Sequence, residues 1–126
     1  MADVSKDDKS GRNPAGELIA CKLEDEITRA KAQPPWSSGD RFAVSLVKHR
    51  DLTVTVLLLR KGARLNEHTA RGSISLQVIA GEVRFRAAGE EKTLAPGMLC
   101  VLEREVPHAV EAIEESTLIL TAALPG

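Results

Sequence analysis

The chain has 126 residues and a formal net charge of −1, and 43% of its residues are hydrophobic. This length suits one domain whose core needs no disulfide bonds. Because the chain contains only two Phe, one Trp and no Tyr, its core must be aliphatic, and a base-stacking surface for single-stranded nucleic acid is disfavoured. No basic stripe is present either, so we expect no nucleic-acid partner.

The first sixteen residues, MADVSKDDKSGRNPAG, are mostly polar or charged. They predict a flexible arm over residues 1–16, since such a segment buries too little apolar surface to become ordered. The arm lacks the apolar stretch of a signal peptide, and no run in the sequence approaches the length of a membrane span. We therefore expect a cytoplasmic protein without a membrane partner. Cys21 and Cys100 are then free thiols, and Cys100 is expected to be a small buried hydrophobic residue in a strand.

Residues 17–33, ELIACKLEDEITRAKAQ, form the best helix candidate. Leu23, Ile27 and Ala30 fall on one face at helical spacing. Asp25 and Arg29 are spaced for an ion pair between successive turns. The start of this segment could instead be a short strand.

Pro34 and Pro35 end the predicted helix. Residues 34–40, PPWSSGD, are expected to form a connector to the next part of the chain. Trp36 in this connector is interpreted as a packing residue over the end of the core. The helix and connector together span residues 17–40.

From residue 41 onward, short apolar and β-branched runs alternate with turn signals. The runs are RFAVSLVK, LTVTVLLLR, SISLQVIAG, EVRFRAA, MLCVL, HAVEA and STLILTAAL. Within one of them, Val83 and Phe85 face one way while Arg84 and Arg86 face the other. Many short strands at near-even spacing predict an all-β sandwich or barrel over residues 41–124.

Two segments bounded by glycines each contain one histidine. The first runs from Gly62 through His68 to Gly81, and the second runs from Gly97 to His108. Their order and spacing resemble the two conserved motifs of the cupin superfamily, over roughly residues 42–122. The resemblance implies a double-stranded β-helix, the jelly-roll barrel of that family, with an open mouth that receives a ligand. It also implies a homodimer, for which the segment before residue 41 could supply the contact.

Metal-binding cupins hold their ion with three histidines and one glutamate. The resemblance places His68 and His108 at two of these positions, but Ala70 and Ile74 occupy the other two and cannot coordinate a metal. The second motif also departs from the family pattern where Glu103, Glu105 and Ala112 replace proline, glycine and asparagine. We therefore predict no cofactor, and a divalent transition metal at the two histidines stays an alternative.

Other polar residues could in principle complete a metal site. Glu67 is adjacent to His68, so in an extended segment its side chain is expected on the opposite face. Gln77 is likewise expected on the face opposite to Ile74, because the two positions differ by an odd number of residues. Glu103 and Glu105 precede His108 in a predicted turn from which either could reach the mouth. His49, the third histidine of the chain, is expected to be solvated at the tip of a loop.

The preferred hypothesis is a barrel that binds a small organic molecule in an aliphatic pocket marked by His68 and His108. The expected pocket walls are Ile74, Leu76, Val78, Phe85 and Val110. The alternative is a metal-dependent cupin enzyme of the dioxygenase, isomerase or decarboxylase type. A third hypothesis is a structural or interaction protein whose barrel is filled, as Ile74 at a ligand position would allow. For the two histidines themselves, the structural alternative is that each simply hydrogen-bonds a neighbouring backbone carbonyl. The residues do not decide whether a reaction is catalysed.

Overall fold

The computed structural model describes residues 16–124, so the predicted arm over residues 1–16 lies outside the described residues except for Gly16. The described part contains two helices and nine strands. In chain order these are α1 Leu23–Lys31, α2 Pro34–Ser38, β1 Arg41–Lys48, β2 Leu52–Leu59, β3 Arg64–His68, β4 Ile74–Ala80, β5 Val83–Ala87, β6 Glu90–Leu94, β7 Leu99–Leu102, β8 His108–Ala112 and β9 Ser116–Ala123. No helix in this part of the chain is long and apolar enough to span a membrane.

The N-terminal helix is shorter than predicted. It begins at Leu23 rather than at residue 17, and it buries Ala30 on the predicted apolar face. Arg29 pairs at 3.5 Å with Glu26 instead of with Asp25. The two prolines that follow start the short helix α2 instead of a plain connector, since proline at the first helical position lacks only an N–H that would be unpaired anyway.

The nine strands form two antiparallel sheets that face each other. The five-stranded sheet has the order β1-β2-β9-β4-β7, and the four-stranded sheet has the order β3-β8-β5-β6. This arrangement confirms the predicted all-β jelly roll, although the sheets stay open at their edges and do not close into a hydrogen-bonded barrel.

Two strands were missed at the sequence level. Strands β3 and β6 have the sequences RLNEH and EEKTL, which carry too many charges to resemble the apolar runs that predicted the other seven. Both lie at edges of the four-stranded sheet. An edge strand has a neighbouring strand on only one side, so fewer of its side chains need to be buried. Edge strands are commonly charged for this reason and because charge discourages pairing with other chains.

The hydrophobic residues form two clusters on opposite faces of the five-stranded sheet. The interior cluster lies between the sheets and includes Leu59, Leu76 and Leu118. The outer cluster lies beneath the helices and includes Trp36 and Leu58. Trp36 therefore packs on the outside of a sheet, and not over the end of the core as predicted. The second half of strand β2 is packed on both faces, with Leu59 in the interior cluster and Leu58 in the outer one, which explains its unbroken apolar run over residues 56–59.

The turns hold the strands in register. Ala88 and Gly89 both have positive φ angles, of 53° and 74°, which is the geometry of a two-residue hairpin turn whose twist matches the flanking strands. This turn joins β5 to β6, which pair as an antiparallel hairpin. At Gly81 the φ angle is +90°, a conformation that residues with a side chain rarely adopt.

Candidate functional site

The two histidines of the family-like motifs lie side by side in the four-stranded sheet. His68 is the last residue of β3, and His108 is the first residue of β8. Because β3 and β8 are antiparallel, these two positions are directly paired, and a shift in register between Leu65 and His68 aligns them. The ring centroids are 4.3 Å apart, and the ring planes are inclined at 56°. We call this end of the molecule, where the β3–β4 and β7–β8 loops emerge, the histidine end.

The two rings differ in their exposure to solvent. His108 is only 5% exposed and stacks on Phe85, with the ring centroids 5.7 Å apart and the planes inclined at 17°. Since Phe85 belongs to the interior cluster, the imidazole of His108 faces the space between the sheets. His68 is exposed. One ring therefore lines the interior while its neighbour meets solvent.

Both imidazoles make the same local hydrogen bond. The Nδ1 atom of His68 lies 2.8 Å from the carbonyl oxygen of Asn66, and that of His108 lies 3.0 Å from the carbonyl oxygen of Val106. A carbonyl oxygen can only accept, so Nδ1–H must be the donor in each ring. The Nε2 atom of each ring is left for another partner. The hydrogen bond of each ring to the backbone is thus compatible with a ligand-binding role, because the first uses Nδ1 and the second would use Nε2.

A backbone hydrogen bond joins the two loops at the histidine end. The N–H of Glu105 donates to the carbonyl oxygen of Ala70 at 2.8 Å. Glu105 has a φ angle of +64°, and it stands where the family motif has glycine, the residue that adopts this conformation without steric cost. The β7–β8 loop therefore adopts at Glu105 the left-handed conformation that a glycine would adopt there without steric cost.

All five predicted pocket walls are buried. Ile74, Leu76, Val78, Phe85 and Val110 are between 0% and 6% exposed, and all but Ile74 belong to the interior cluster. They pack against one another beneath the histidines. Their role as the walls of a ligand pocket stays a prediction.

Other inward-facing side chains at this end are only partly buried, and the sequence analysis did not assign them to the site. Ala87 is paired with His108, Leu102 with Ile74, and both Cys100 and Leu120 with Leu76. Paired residues on neighbouring strands point to the same face, so these four side chains share the interior with the predicted walls. The alternation in the run MLCVL could have identified Cys100 and Leu102.

Cys100 is half-buried and reduced, as is expected of a small apolar residue in a strand, whereas Cys21 is exposed. Burial raises the pKa of the Cys100 thiol, although a backbone hydrogen bond with Leu76 opposes this shift. A raised pKa keeps this thiol protonated and unreactive near neutrality.

The residues at the histidine end do not fit the metal site of the family. Ala70 and Ile74 provide no donor atom, and no group of three or more histidine, cysteine or carboxylate side chains within residues 16–124 could hold a metal ion. A catalytic metal needs about three protein ligands. We therefore derive no chemistry through a metal.

None of the other donors considered from the sequence repairs this site. Glu67 lines a cavity on the outer surface of the four-stranded sheet, and Gln77 is exposed. His49 lies in the β1–β2 turn, where its Nε2 atom is 2.6 Å from the carbonyl oxygen of Gly16. The expectation that His49 is simply solvated is wrong in this respect.

Two open cavities lie near the pair without including it. One, of about 450 Å³, follows the outer surface of the four-stranded sheet and contains Arg64, Arg84 and Glu111. Arg84 is tied to Glu111 at 2.9 Å, so this surface carries ion pairs, as expected of solvated strand faces. The other, of about 490 Å³, lies at the histidine end between the two loops, where it is lined by Arg71 and Arg104 among others.

The sequence matches no family model and no curated protein, but its fold is similar to many solved structures. A cupin 2 conserved barrel domain protein from Leptotrichia buccalis is 29% identical with a TM-score of 0.64, over 68% of this chain and 41% of that one. An RmlC-like cupin from Shewanella frigidimarina is 24% identical with a TM-score of 0.66, over 69% and 78%. A salicylate 1,2-dioxygenase from Pseudaminobacter salicylatoxidans is 24% identical with a TM-score of 0.62, over 79% and 29%.

The arrangement of antiparallel strands in two sheets agrees with these likenesses, two of which are to proteins described as cupins. Together they support the assignment of this chain to the cupin superfamily.

Proposed function

We propose that the protein binds a small organic molecule at the histidine end, where His68 and His108 orient it. The observation that carries this proposal is the pair of imidazoles with centroids 4.3 Å apart. Each ring is held by its Nδ1–H bond to the backbone, which leaves the Nε2 atom of each of two neighbouring rings for a ligand. Rings fixed in this way lose little conformational entropy when a ligand binds.

The surroundings support such a site. The pair lies beside the apolar interior, through the contact of His108 with Phe85, and partly exposed apolar side chains such as Leu102 and Leu120 face the same space. A few convergent polar groups within an apolar surface are typical of small-molecule sites, because the apolar part supplies affinity and the polar part supplies orientation.

An enzymatic role remains the alternative. Two adjacent imidazoles could serve as acid and base toward a bound substrate. The metal-dependent type has less support, because two of the four metal-binding positions hold Ala70 and Ile74. The likeness to a dioxygenase concerns the fold alone, and one fold can host unrelated chemistries.

A thermal-shift screen against small alcohols, phenols and carboxylic acids, in the presence of a chelator, tests the proposal. We expect at least one compound to raise the unfolding temperature of the native chain. His68→Ala should abolish the shift without unfolding the protein, since His68 is exposed. His49→Ala is the matched control and should preserve the shift. A hit that binds equally well to His68→Ala would place the ligand elsewhere and contradict the proposal.

We further propose that the protein is a homodimer, as the family resemblance implies, but through β7. The segment before residue 41 packs on its own chain by way of Ala30 and Trp36. By contrast, Leu99 and Val101 are 56% and 69% exposed on the outer face of β7, an edge strand with no charged residue. The other three edge strands all carry charges, which discourage pairing, whereas an uncharged edge can pair with its own copy.

Light scattering during gel filtration tests this arrangement. We expect a dimer for the native chain and a monomer for Val101→Lys, because two lysines would face each other across a symmetric contact. Thr93→Lys, on the exposed β6 edge, is the control and should remain dimeric. A monomeric native chain, or a dimer that tolerates Val101→Lys, would contradict the proposed interface. The cytoplasmic location stays a prediction.

A further inference from the structure

We infer from the hydrogen bonds of the two rings that the ligand is an uncharged molecule with two neighbouring hydrogen-bond donors, such as adjacent hydroxyl groups on an apolar frame. This inference rests on the proposed function, because it assumes that the ligand lies against His68 and His108. It adds the chemical class of the ligand, which the similarity to other cupins does not supply.

The first step of the argument is the tautomer of each ring. In a neutral imidazole one nitrogen carries the proton and the other is an acceptor. In His68 and His108 the proton lies on Nδ1, since Nδ1 faces the carbonyl oxygens of Asn66 and Val106 at 2.8 and 3.0 Å. Both Nε2 atoms are then acceptors, and the pair is complementary to donors.

The second step concerns the ligand groups that match two acceptors. A hydroxyl group donates its proton and can satisfy one Nε2 atom, so two adjacent hydroxyls can satisfy both. A carboxylate has only acceptor atoms, and it would face two lone pairs unless both rings took up protons. An anionic ligand therefore fits the pair only at the cost of protonating it.

The third step is the charge around the pair. The segments that carry or flank the histidines are residues 67–73, 87–92 and 103–108. They contain the five carboxylates Glu67, Glu90, Glu91, Glu103 and Glu105, and the three cations Arg71, Lys92 and Arg104. Two of these carboxylates are already paired, since Glu90 lies 3.2 Å from Lys92 and Glu91 lies 3.3 and 3.0 Å from Arg84 and Arg86 on the outer face of the sheet. The remaining three carboxylates still balance Arg71 and Arg104. The histidine end thus offers no surplus of positive charge that would favour an anion.

These steps determine an order of affinities. A neutral molecule with two adjacent donors should bind more tightly than a carboxylate, and more tightly than an analogue without donors, because only the first complements two acceptor nitrogens. The ligand classes can therefore be distinguished without knowledge of the natural ligand.

The first experiment needs no ligand. Nitrogen-15 correlation spectra of the imidazoles, recorded at about pH 8 where histidine is normally neutral, report which nitrogen carries the proton. We expect Nδ1–H for His68 and His108. His49 is the internal control, since its Nε2 atom faces the carbonyl oxygen of Gly16 and should carry the proton instead. An Nε2–H signal from His68 or His108 would overturn the inference while leaving the proposed function intact.

The second experiment compares three probes of similar size in the presence of a chelator: catechol, benzoate and 1,2-dimethoxybenzene. Calorimetry should show catechol binding about tenfold or more tightly than either of the others, because only catechol donates two hydrogen bonds. His68→Ala should remove this preference, and His49→Ala should retain it.

The outcomes separate the inference from the proposed function. Tighter binding of benzoate than of catechol would show an anion site and overturn only the inference. Failure of all three probes would also count against the inference, whereas the proposed function would stand if the thermal-shift screen yields a ligand that depends on His68. Failure of that screen as well would remove both.

Discussion

The guanidinium carbon of Arg60 lies 3.8 Å from the centroid of the Trp36 ring. Arg60 also donates to the backbone carbonyl oxygen of Trp36 at 2.9 Å and pairs with Glu115 at 3.1 Å. Since Arg60 follows β2 and Glu115 precedes β9, this single side chain joins helix α2 to two neighbouring strands. The contact fastens the N-terminal helices to the outer face of the five-stranded sheet.

We expect Trp36→Ala to lower the free energy of unfolding by about 3–5 kcal/mol, as is usual when a buried tryptophan is removed. Arg60→Met retains most of the packing but loses the cation–π contact and the hydrogen bond, so it should cost about 1–3 kcal/mol. Urea unfolding measured by circular dichroism gives both values. Arg104→Met is the control, since Arg104 is exposed, and it should change stability by less than about 0.5 kcal/mol. Equal effects of the two arginine variants would contradict the role assigned to Arg60.

Glu105 adopts a left-handed backbone conformation in the loop that precedes His108. A residue with a side chain pays about 1–2 kcal/mol for this conformation, whereas glycine costs about 0.5–1 kcal/mol through the entropy of the unfolded chain. Glu105→Gly should therefore stabilise the protein by up to about 1 kcal/mol. Glu103→Gly, in the same loop but without a positive φ angle, should be neutral or destabilising. Chemical denaturation compares the two, and a loss of stability in Glu105→Gly would refute the argument.

Gly81 is held in a confined turn. A Cβ atom there would collide with the carbonyl oxygen of Glu115 and the hydroxyl of Ser116, at a φ angle of +90°. Gly81→Ala should destabilise the protein by about 2–4 kcal/mol, since backbone strain and steric overlap add. Gly89 has a similar φ angle of +74°, but a Cβ atom there would meet no other atom within 4 Å. Gly89→Ala should therefore lower the free energy of unfolding by only about 1 kcal/mol. If thermal unfolding gave equal losses for both variants, the collision at Gly81 would be unimportant.

The two cysteines should differ in reactivity. Burial raises the pKa of Cys100, which lowers its thiolate fraction at a given pH, and the thiolate is the form that attacks alkylating reagents. Cys21 is exposed. We expect iodoacetamide near neutral pH to modify Cys21 well before Cys100, with the rate at Cys100 increasing as the pH rises. Peptide mass spectrometry measures both rates, and denaturant should make them equal. Faster modification of Cys100 in the folded protein would contradict its assignment to the interior.

Purified protein should hold well under one equivalent of transition metal, because Ala70 and Ile74 remove two of the four donors that the family resemblance implies. Elemental analysis after dialysis measures this content. A stoichiometric metal that survives dialysis would restore the metal-dependent alternative. In that case His68→Ala should release it, and His49→Ala should not.

The sequence by itself determined the fold class and the main turns of this protein. The alternation of apolar and polar residues in runs such as EVRFRAA identifies strands, because successive side chains of a strand point to opposite faces. Glycine and proline at Lys61-Gly62 and Pro96-Gly97 identify turns, because these residues favour turn conformations by themselves. The family resemblance also implied that His68 and His108 converge, and the two residues are paired across β3 and β8.

The tertiary structure decided what local patterns could not. Strands β3 and β6 are polar and form only because the neighbouring strands offer hydrogen-bond partners. The segment Pro34–Ser38 becomes helical where Trp36 packs into the outer cluster. Only the paired strands reveal that His108 is buried on Phe85 while His68 is exposed. These features depend on contacts between residues that are distant along the chain, and no local sequence pattern encodes them.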